Sequence, residues 1–92
     1  MSHWSEIEKQ LLLFLYSETL AKGRQWAELK RWDFAYGIDK SFEDSNKSVD
    51  NLIHHGYIEC ASCPETSGLR YSLNQKYTEK ISELRPNPIE SR

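Results

Sequence analysis

The stretch Val49-Asp50-Asn51-Leu52-Ile53-His54-His55-Gly56-Tyr57-Ile58 contains the point where the apolar spacing of this sequence changes. Before Gly56, the apolar residues between positions 42 and 53 fall on one side of a helix, because each residue turns the chain by about 100°. After Gly56, apolar and polar residues alternate at 57–60 and again at 69–73, which is typical of half-buried strands. We therefore predict a helix that begins after Ser41, ends at Gly56 and is followed by a β-hairpin.

Two further helices are predicted before this segment. Ser5 and Glu8 form a capping-box pattern at the start of an apolar stripe, so the first helix begins there and continues to the region of Gly23. The second helix is predicted over residues 25–36, because large apolar side chains recur at helical steps, with Gly37 at positive φ at its end. The side chains that define its inward face are Trp26, Leu29, Trp32 and Tyr36.

A last short helix is predicted after the hairpin. Asn74 is a suitable N-cap for a helix over residues 75–84, and Pro86-Asn87-Pro88 ends that helix. The composition of residues 61–68 predicts a long loop at the tip of the hairpin. We predict a single domain over residues 1–85 and a flexible C-terminal tail over residues 86–92.

Length and composition exclude several classes of protein. With 92 residues, a net charge of -2 and 38% hydrophobic residues, the chain fits one globular domain and is too apolar for intrinsic disorder. The longest apolar run, Leu11–Leu15, is far shorter than a membrane span, and no signal for secretion is present. Two cysteines in so short a chain indicate the reducing cytoplasm. No spacing of residues indicates catalysis, so we predict that the protein is not an enzyme.

The order helix, helix, turn, helix, hairpin, helix resembles that of the winged helix-turn-helix family. Residues 49–58 look like the end of a recognition helix that runs into the first wing strand. The segment Arg70-Tyr71-Ser72-Leu73-Asn74-Gln75-Lys76-Tyr77 looks like the second wing strand followed by the capped final helix. The family usually has threonine where this chain has Asn74, and often glycine where it has Tyr77. The resemblance implies an α+β, mostly helical fold with three helices, a two-stranded wing and a short C-terminal helix.

The same resemblance implies a sequence-specific DNA-binding transcription regulator that places its third helix in the major groove. Residues on the outward side of that helix are then expected to face bases, and basic residues elsewhere to contact phosphates of double-stranded DNA. A homodimer formed through the first and last helices would contact two half-sites. The expected base-facing residues are Asp44, Lys47, Ser48 and Asn51, and the expected phosphate contacts are Arg24, Lys30, Arg31, Lys40 and Arg70.

The charge distribution supports a second interpretation of function. Between residues 41 and 59 a single lysine is accompanied by Glu43, Asp44, Asp50 and Glu59, and carboxylates repel phosphate. The alternative is a winged-helix module that binds a protein partner and no nucleic acid. Neither interpretation involves a membrane.

The segment Cys60-Ala61-Ser62-Cys63, preceded by His54-His55, has the spacing of metal ligands. A lone C-x-x-C supplies two of the four ligands that zinc needs, so a histidine or a second protomer would have to complete the site. A redox pair is a further alternative. The strand alternation instead turns Cys60 inward, opposite Tyr71 or Leu73, and a buried free cysteine packs as a small apolar side chain. We therefore predict packing, with neither a metal nor a cofactor.

Overall fold

The computed structural model describes residues 4–63 and 68–84. The tip of the hairpin at 64–67 and the predicted tail over 86–92 lie outside these described residues. The elements follow in the order α1 (Glu6–Lys22), β1 (Trp26–Leu29), α2 (Arg31–Ile38), α3 (Phe42–His54), β2 (Ile58–Cys63), β3 (Gly68–Leu73) and α4 (Gln75–Ser82).

The first helix is capped at both ends as its sequence predicts. The Ser5 hydroxyl accepts a hydrogen bond from the Glu8 amide at 3.2 Å, and the Glu8 carboxylate accepts one from the Ser5 amide at 2.9 Å. Gly23 ends the helix in the left-handed conformation, with φ of 66°, which costs glycine little because it has no Cβ. Between these caps Leu11, Leu12 and Leu15 are fully buried, so α1 runs through the centre of the core.

The second helix predicted over residues 25–36 is wrong in its first half. Residues 26–29 form strand β1, which pairs antiparallel with β3 so that Trp26 lies opposite Ser72 and Leu29 opposite Leu69. The strand buries Ala27 and Leu29 and turns its other two side chains outward. Its backbone groups are satisfied by a strand that lies far away in the sequence, and that long-range ladder overrides the helical spacing of the large side chains.

Helix α2 therefore begins at Arg31, and its inward face differs from the predicted one. Phe34 and Ala35 are buried, whereas Trp32 and Tyr36 are exposed over 55% and 79% of their surfaces. Gly37 lies within the helix and does not have positive φ; Asp39, with φ of 58°, ends the helix instead.

The glycine at position 37 serves close packing between two helices. A Cβ added at Gly37 would overlap the ring of Phe14 on α1. The ring can approach the α2 backbone because no side chain lies between them. This glycine is required by space rather than by backbone conformation.

The third helix begins after Ser41 and the hairpin follows Gly56, as predicted. The loop predicted over residues 61–68 is too long, because β2 continues to Cys63 and β3 begins at Gly68, where backbone pairing extends the strands.

The Ser41 hydroxyl accepts from the Asp44 amide at 3.2 Å, and Gly56 follows α3 with φ of 81°. The Asn74 side chain caps α4 by accepting from the Lys76 amide at 3.0 Å, and it donates to the Gly56 carbonyl at 2.9 Å. Asn74 thus links the end of the wing to the turn at which the wing begins.

The three strands form one antiparallel sheet in the order β1-β3-β2. Its inner face contributes Ala27, Ile58, Tyr71 and Leu73 to the core shared by the helices. Among the described helices, none is both long and apolar enough to cross a bilayer. The arrangement leaves the outward sides of α2 and α3, and the outer face of the sheet, open to solvent.

Candidate nucleic-acid interface

The outward side of α3 carries most of the residues predicted to face bases. Asp44, Lys47 and Asn51 are exposed, and Ser48 is half-buried at the edge of this surface. The opposite side of the helix buries Ser45, Val49 and Leu52. Because successive residues are about 100° apart, burial of that side directs Lys47 and Asn51 to solvent.

The surface of α3 has more negative than positive charge. Glu43, Asp44 and Asp50 accompany Lys47 in the helix. Glu43 and Asp44 lie in the first turn, where carboxylates stabilise a helix through its dipole. These two residues therefore have a role in helix stability, while Asp50 is paired with an arginine of α2.

That arginine is Arg31, predicted to contact phosphate, and its guanidinium is used within the protein. Its Nε donates to the Tyr71 hydroxyl at 2.9 Å, and its Nη1 donates to the Asn46 side-chain oxygen at 2.6 Å. Its Nη2 lies 2.9 Å from the Asp50 carboxylate. Arg31 thus joins α2, α3 and β3, and the structure does not leave its guanidinium pointing freely into solvent.

The protonation states of this cluster follow from burial and hydrogen bonding. Burial raises the pKa of the Tyr71 hydroxyl above its ordinary value, although the hydrogen bond from Arg31 acts in the opposite direction. Burial acts to lower the pKa of Arg31, but the hydrogen bonds to Tyr71 and Asp50 and their charges outweigh it, and the pKa is raised. At neutral pH the guanidinium is therefore charged and the phenol is neutral.

The other predicted phosphate contacts fall into two groups. Arg24 and Arg70 meet on the outer face of the sheet, where their guanidinium carbons lie 3.9 and 4.2 Å from the centroid of the Trp26 rings. Both distances are typical of cation–π contacts. Lys30 and Lys40 are exposed at the ends of α2. The structure therefore brings Arg24 and Arg70 together, on a face of the sheet that α3 does not cover.

An exposed aromatic cluster on the helix-turn-helix is a feature that the sequence analysis missed. Trp32 stacks on Phe42 of α3 with 4.2 Å between ring centroids, and Tyr36 lies 6.2 Å from Trp32. A second apolar stripe in the sequence, Phe34, Ala35 and Ile38, forms the inner side of α2. Choosing this stripe as the inward face would have placed Trp32 and Tyr36 on the outside. We call Trp32, Tyr36 and Phe42 the aromatic cluster.

Cys60 is exposed and does not pack in the core, which contradicts the predicted burial. It lies opposite Tyr71 in the sheet, as expected. In the part of the chain that the structure describes, no three histidine, cysteine or acidic side chains come close enough to hold a metal ion. The side chain of Cys63 lies outside that description.

A shallow cavity of about 500 Å³ separates the C-terminal end of α1 from α4. Tyr16, Leu20 and Arg24 line one side of it, and Leu73 and Gln75 line the other. Leu20 is 53% exposed. This is the part of the surface where the sequence predicts contact with a second protomer.

Two proteins of known structure share this architecture. A mutant of ZitR from Lactococcus lactis matches with TM-score 0.69 and 14% identity, over 89% of this chain and 51% of that one. A mutant of MepR from S. aureus matches with TM-score 0.71 and 13% identity, over 88% and 56% of the two chains. MepR bound to ethidium bromide matches with TM-score 0.69 and 15% identity, over 89% and 57%.

These neighbours are winged-helix regulators of the MarR family, and the present chain spans about half of their length. No protein-family model and no curated protein matches the sequence. Identities of this size relate the folds alone. The matches, the helix-turn-helix formed by α2 and α3, and the β2–β3 hairpin together assign the chain to the winged helix-turn-helix fold.

Proposed function

We propose that the protein is a transcription regulator that binds double-stranded DNA and reads its sequence with α3. The observation that carries the proposal is the exposure of Lys47 and Asn51 on the second helix of a helix-turn-helix. This is the helix that enters the major groove in such motifs. The fold shared with ZitR and MepR, which are regulators and not enzymes, supports the same class of function.

Each exposed side chain of α3 has a chemical role in this proposal. The Asn51 amide can pair with both N6 and N7 of adenine, and the Lys47 ammonium can donate to guanine acceptors. Asp44 and Ser48 flank these two residues and would contact base edges at the border of the interface. Asp44 would accept from the amino group of cytosine.

The sequence-independent part of the affinity would come from basic side chains outside α3. Lys30 and Lys40 lie at the two ends of α2, and Arg24 and Arg70 lie on the outer face of the sheet. Arg31 is not included, because its guanidinium is occupied by Tyr71, Asn46 and Asp50. With few basic side chains on these surfaces and a net charge of -2, the affinity should be modest at physiological salt.

A homodimer in the cytoplasm completes the proposal. One small module contacts few base pairs, and two modules on half-sites one helical turn apart gain both affinity and specificity. The exposed Leu20 and the cavity between α1 and α4 support contact through these helices. Sedimentation of the full chain at micromolar concentration should show a dimer, and a monomer at high concentration would contradict this part.

Selection from a random DNA pool is the experiment that tests the proposed function. We expect a preferred sequence whose affinity falls steeply with salt concentration. Retention of no sequence at low salt, or binding that does not respond to salt, would contradict it. Asp50→Ala is not a suitable control, because Arg31 needs that carboxylate. Glu79→Gln is the control, because it removes an exposed carboxylate on α4, a helix to which the proposal assigns no contact with DNA.

The aromatic cluster favours a second candidate, a module that binds a protein partner without nucleic acid. Trp32 and Tyr36 are both more than half exposed, and large aromatic side chains are enriched at interaction hot spots. The carboxylates of α3 suit a basic partner better than a phosphate backbone. Binding of a protein that Trp32→Ala abolishes, without any DNA binding by the unaltered protein, would establish this function instead.

A further inference from the structure

We propose that Arg31 is a positioning residue, which holds the reading helix α3 in a fixed orientation relative to the wing strand β3. The inference rests on the proposed function, because it assigns to Arg31 the part of DNA recognition that depends on how α3 is oriented. This role takes the place of the contact with DNA phosphate that the sequence analysis expected for Arg31. The contacts that the Arg31 guanidinium makes support it.

The guanidinium of Arg31 makes contacts on two separate elements in addition to its own helix. On β3 it donates to the Tyr71 hydroxyl at 2.9 Å. On α3 it donates to the Asn46 side chain at 2.6 Å and to the Asn46 carbonyl at 3.4 Å, and it pairs with Asp50 at 2.9 Å. Asn46 and Asp50 are one helical turn apart, so Arg31 binds two residues on the same side of α3.

The anchor on the sheet is rigid. Tyr71 is fully buried, lies on the central strand and stacks edge-on against Phe34 of α2 with 4.9 Å between ring centroids. The packing of the core around the ring therefore sets the position of the hydroxyl. Through its directional hydrogen bonds, Arg31 therefore holds α3 at a defined position relative to β3.

The shape of the guanidinium is essential to this role. Its nitrogens donate in one plane and in different directions, which lets one side chain satisfy Tyr71, Asn46 and Asp50 together. A lysine at the same position has a single nitrogen, and it can keep the charge near Asp50 but cannot keep all three partners. The substitution Arg31→Lys therefore distinguishes a role that needs only the positive charge from a role that needs all three hydrogen-bonding partners.

The pairing has a second effect on the surface that faces DNA. The Asp50 side chain is well exposed, and Arg31 neutralises its charge. Without Arg31 this carboxylate would add its repulsion to that of Glu43 and Asp44. The contacts of Arg31 would produce both effects, but only the positioning of α3 requires Tyr71, which is fully buried.

The test compares Arg31→Lys and Tyr71→Phe with Tyr77→Phe, a control on α4 that removes a hydroxyl from another aromatic residue. Two quantities are measured: amide hydrogen exchange of α3 relative to α1 in the free protein, and discrimination between the selected DNA site and mixed DNA. We expect both variants to speed exchange in α3 about fivefold relative to α1. We expect discrimination to fall about tenfold with an unchanged salt slope, and the control to alter neither quantity.

Three results would overturn the proposal. If Arg31→Lys keeps normal exchange and discrimination while Arg31→Ala lowers the salt slope by about one, Arg31 contacts phosphate. If exchange rises equally in α1 and α3 and discrimination is intact, Arg31 contributes stability alone. If the exchange of α3 is unchanged in every variant, Arg31 does not position the helix. Should the protein bind no DNA, the proposed function fails, and the exchange measurement still decides the role of Arg31.

Discussion

Helices α2 and α3 form the helix-turn-helix, and one exposes an aromatic surface while the other exposes a polar and charged one. The outward side of α2 carries the rings of Trp32 and Tyr36, whereas that of α3 carries Lys47 and Asn51 among carboxylates. Both helices bury apolar side chains in the same core. The difference shows that the fold determines how these helices pack, while the outward residues determine what the molecule can contact.

The largest expected effect comes from the close contact between α2 and α1 at Gly37. Gly37→Ala should lower the free energy of unfolding by about 1–3 kcal/mol, because the added methyl group overlaps the ring of Phe14, which must leave its present position. Chemical denaturation measures this loss. Tyr36→Ala, one position earlier and 79% exposed, is the matched control and should change stability by less than about 0.5 kcal/mol. Equal stability of the two variants would show that α1 and α2 are not packed as described.

Substitutions on the outward side of α3 should change the affinity for DNA and leave the free energy of unfolding unchanged. Asn51→Ala should cost about 1–3 kcal/mol on the selected DNA site and should relax preference at one base position, since a bidentate contact is lost. Lys40→Ala, at the end of α2, should weaken binding to all sequences alike and lower the salt slope by about one. Titration of both variants against several sites at two salt concentrations distinguishes them. Identical behaviour would mean that α3 is not the reading helix.

The outward side of α2 should tolerate replacement. Trp32→Ala should lower the free energy of unfolding by about 1 kcal/mol or less, because the ring is more than half exposed and loses mainly its stacking on Phe42. Affinity for DNA should be retained. A stability loss above about 3 kcal/mol, measured by thermal unfolding, would show that Trp32 belongs to the core as its spacing first indicated.

The smallest effect is expected on the hairpin. Cys60→Ser should change the free energy of unfolding by less than about 0.5 kcal/mol, because the side chain is exposed and the hydroxyl is well solvated. Addition of a chelator should leave the melting temperature of the unaltered protein unchanged. Copurification of one zinc ion per chain would contradict this expectation and would make Cys63 the next residue to test.

The elements that could be predicted from sequence are those with local signals. Ser5, Ser41 and Asn74 begin α1, α3 and α4 because their side chains satisfy amides only two or three residues away. The hairpin is likewise local, since its strands alternate and lie close together in the chain. Composition and caps within a short window therefore suffice for most of the fold.

The elements that were missed depend on contacts over long sequence distances. Strand β1 exists because β3 pairs with it, and nothing within residues 24–30 indicates that partner. Arg31 lies 40 residues from Tyr71, and an arginine at the start of a helix has the same sequence pattern whether it is solvated or bonded internally. The outward residues of α3 could be predicted because their placement follows from one helix alone.

The strand order has a consequence for how the chain acquires its structure during synthesis. Strand β3 is central in the sheet, yet among the three described strands it is the last to leave the ribosome, and β1 and β2 both pair with it. Helices α1 to α3 can form as they emerge, but β1 remains unpaired until residues 69–72 have been added. A nascent chain that stops before Gly68 would lack every strand pairing of the described sheet, so the addition of residues 68–73 allows both ladders to form together.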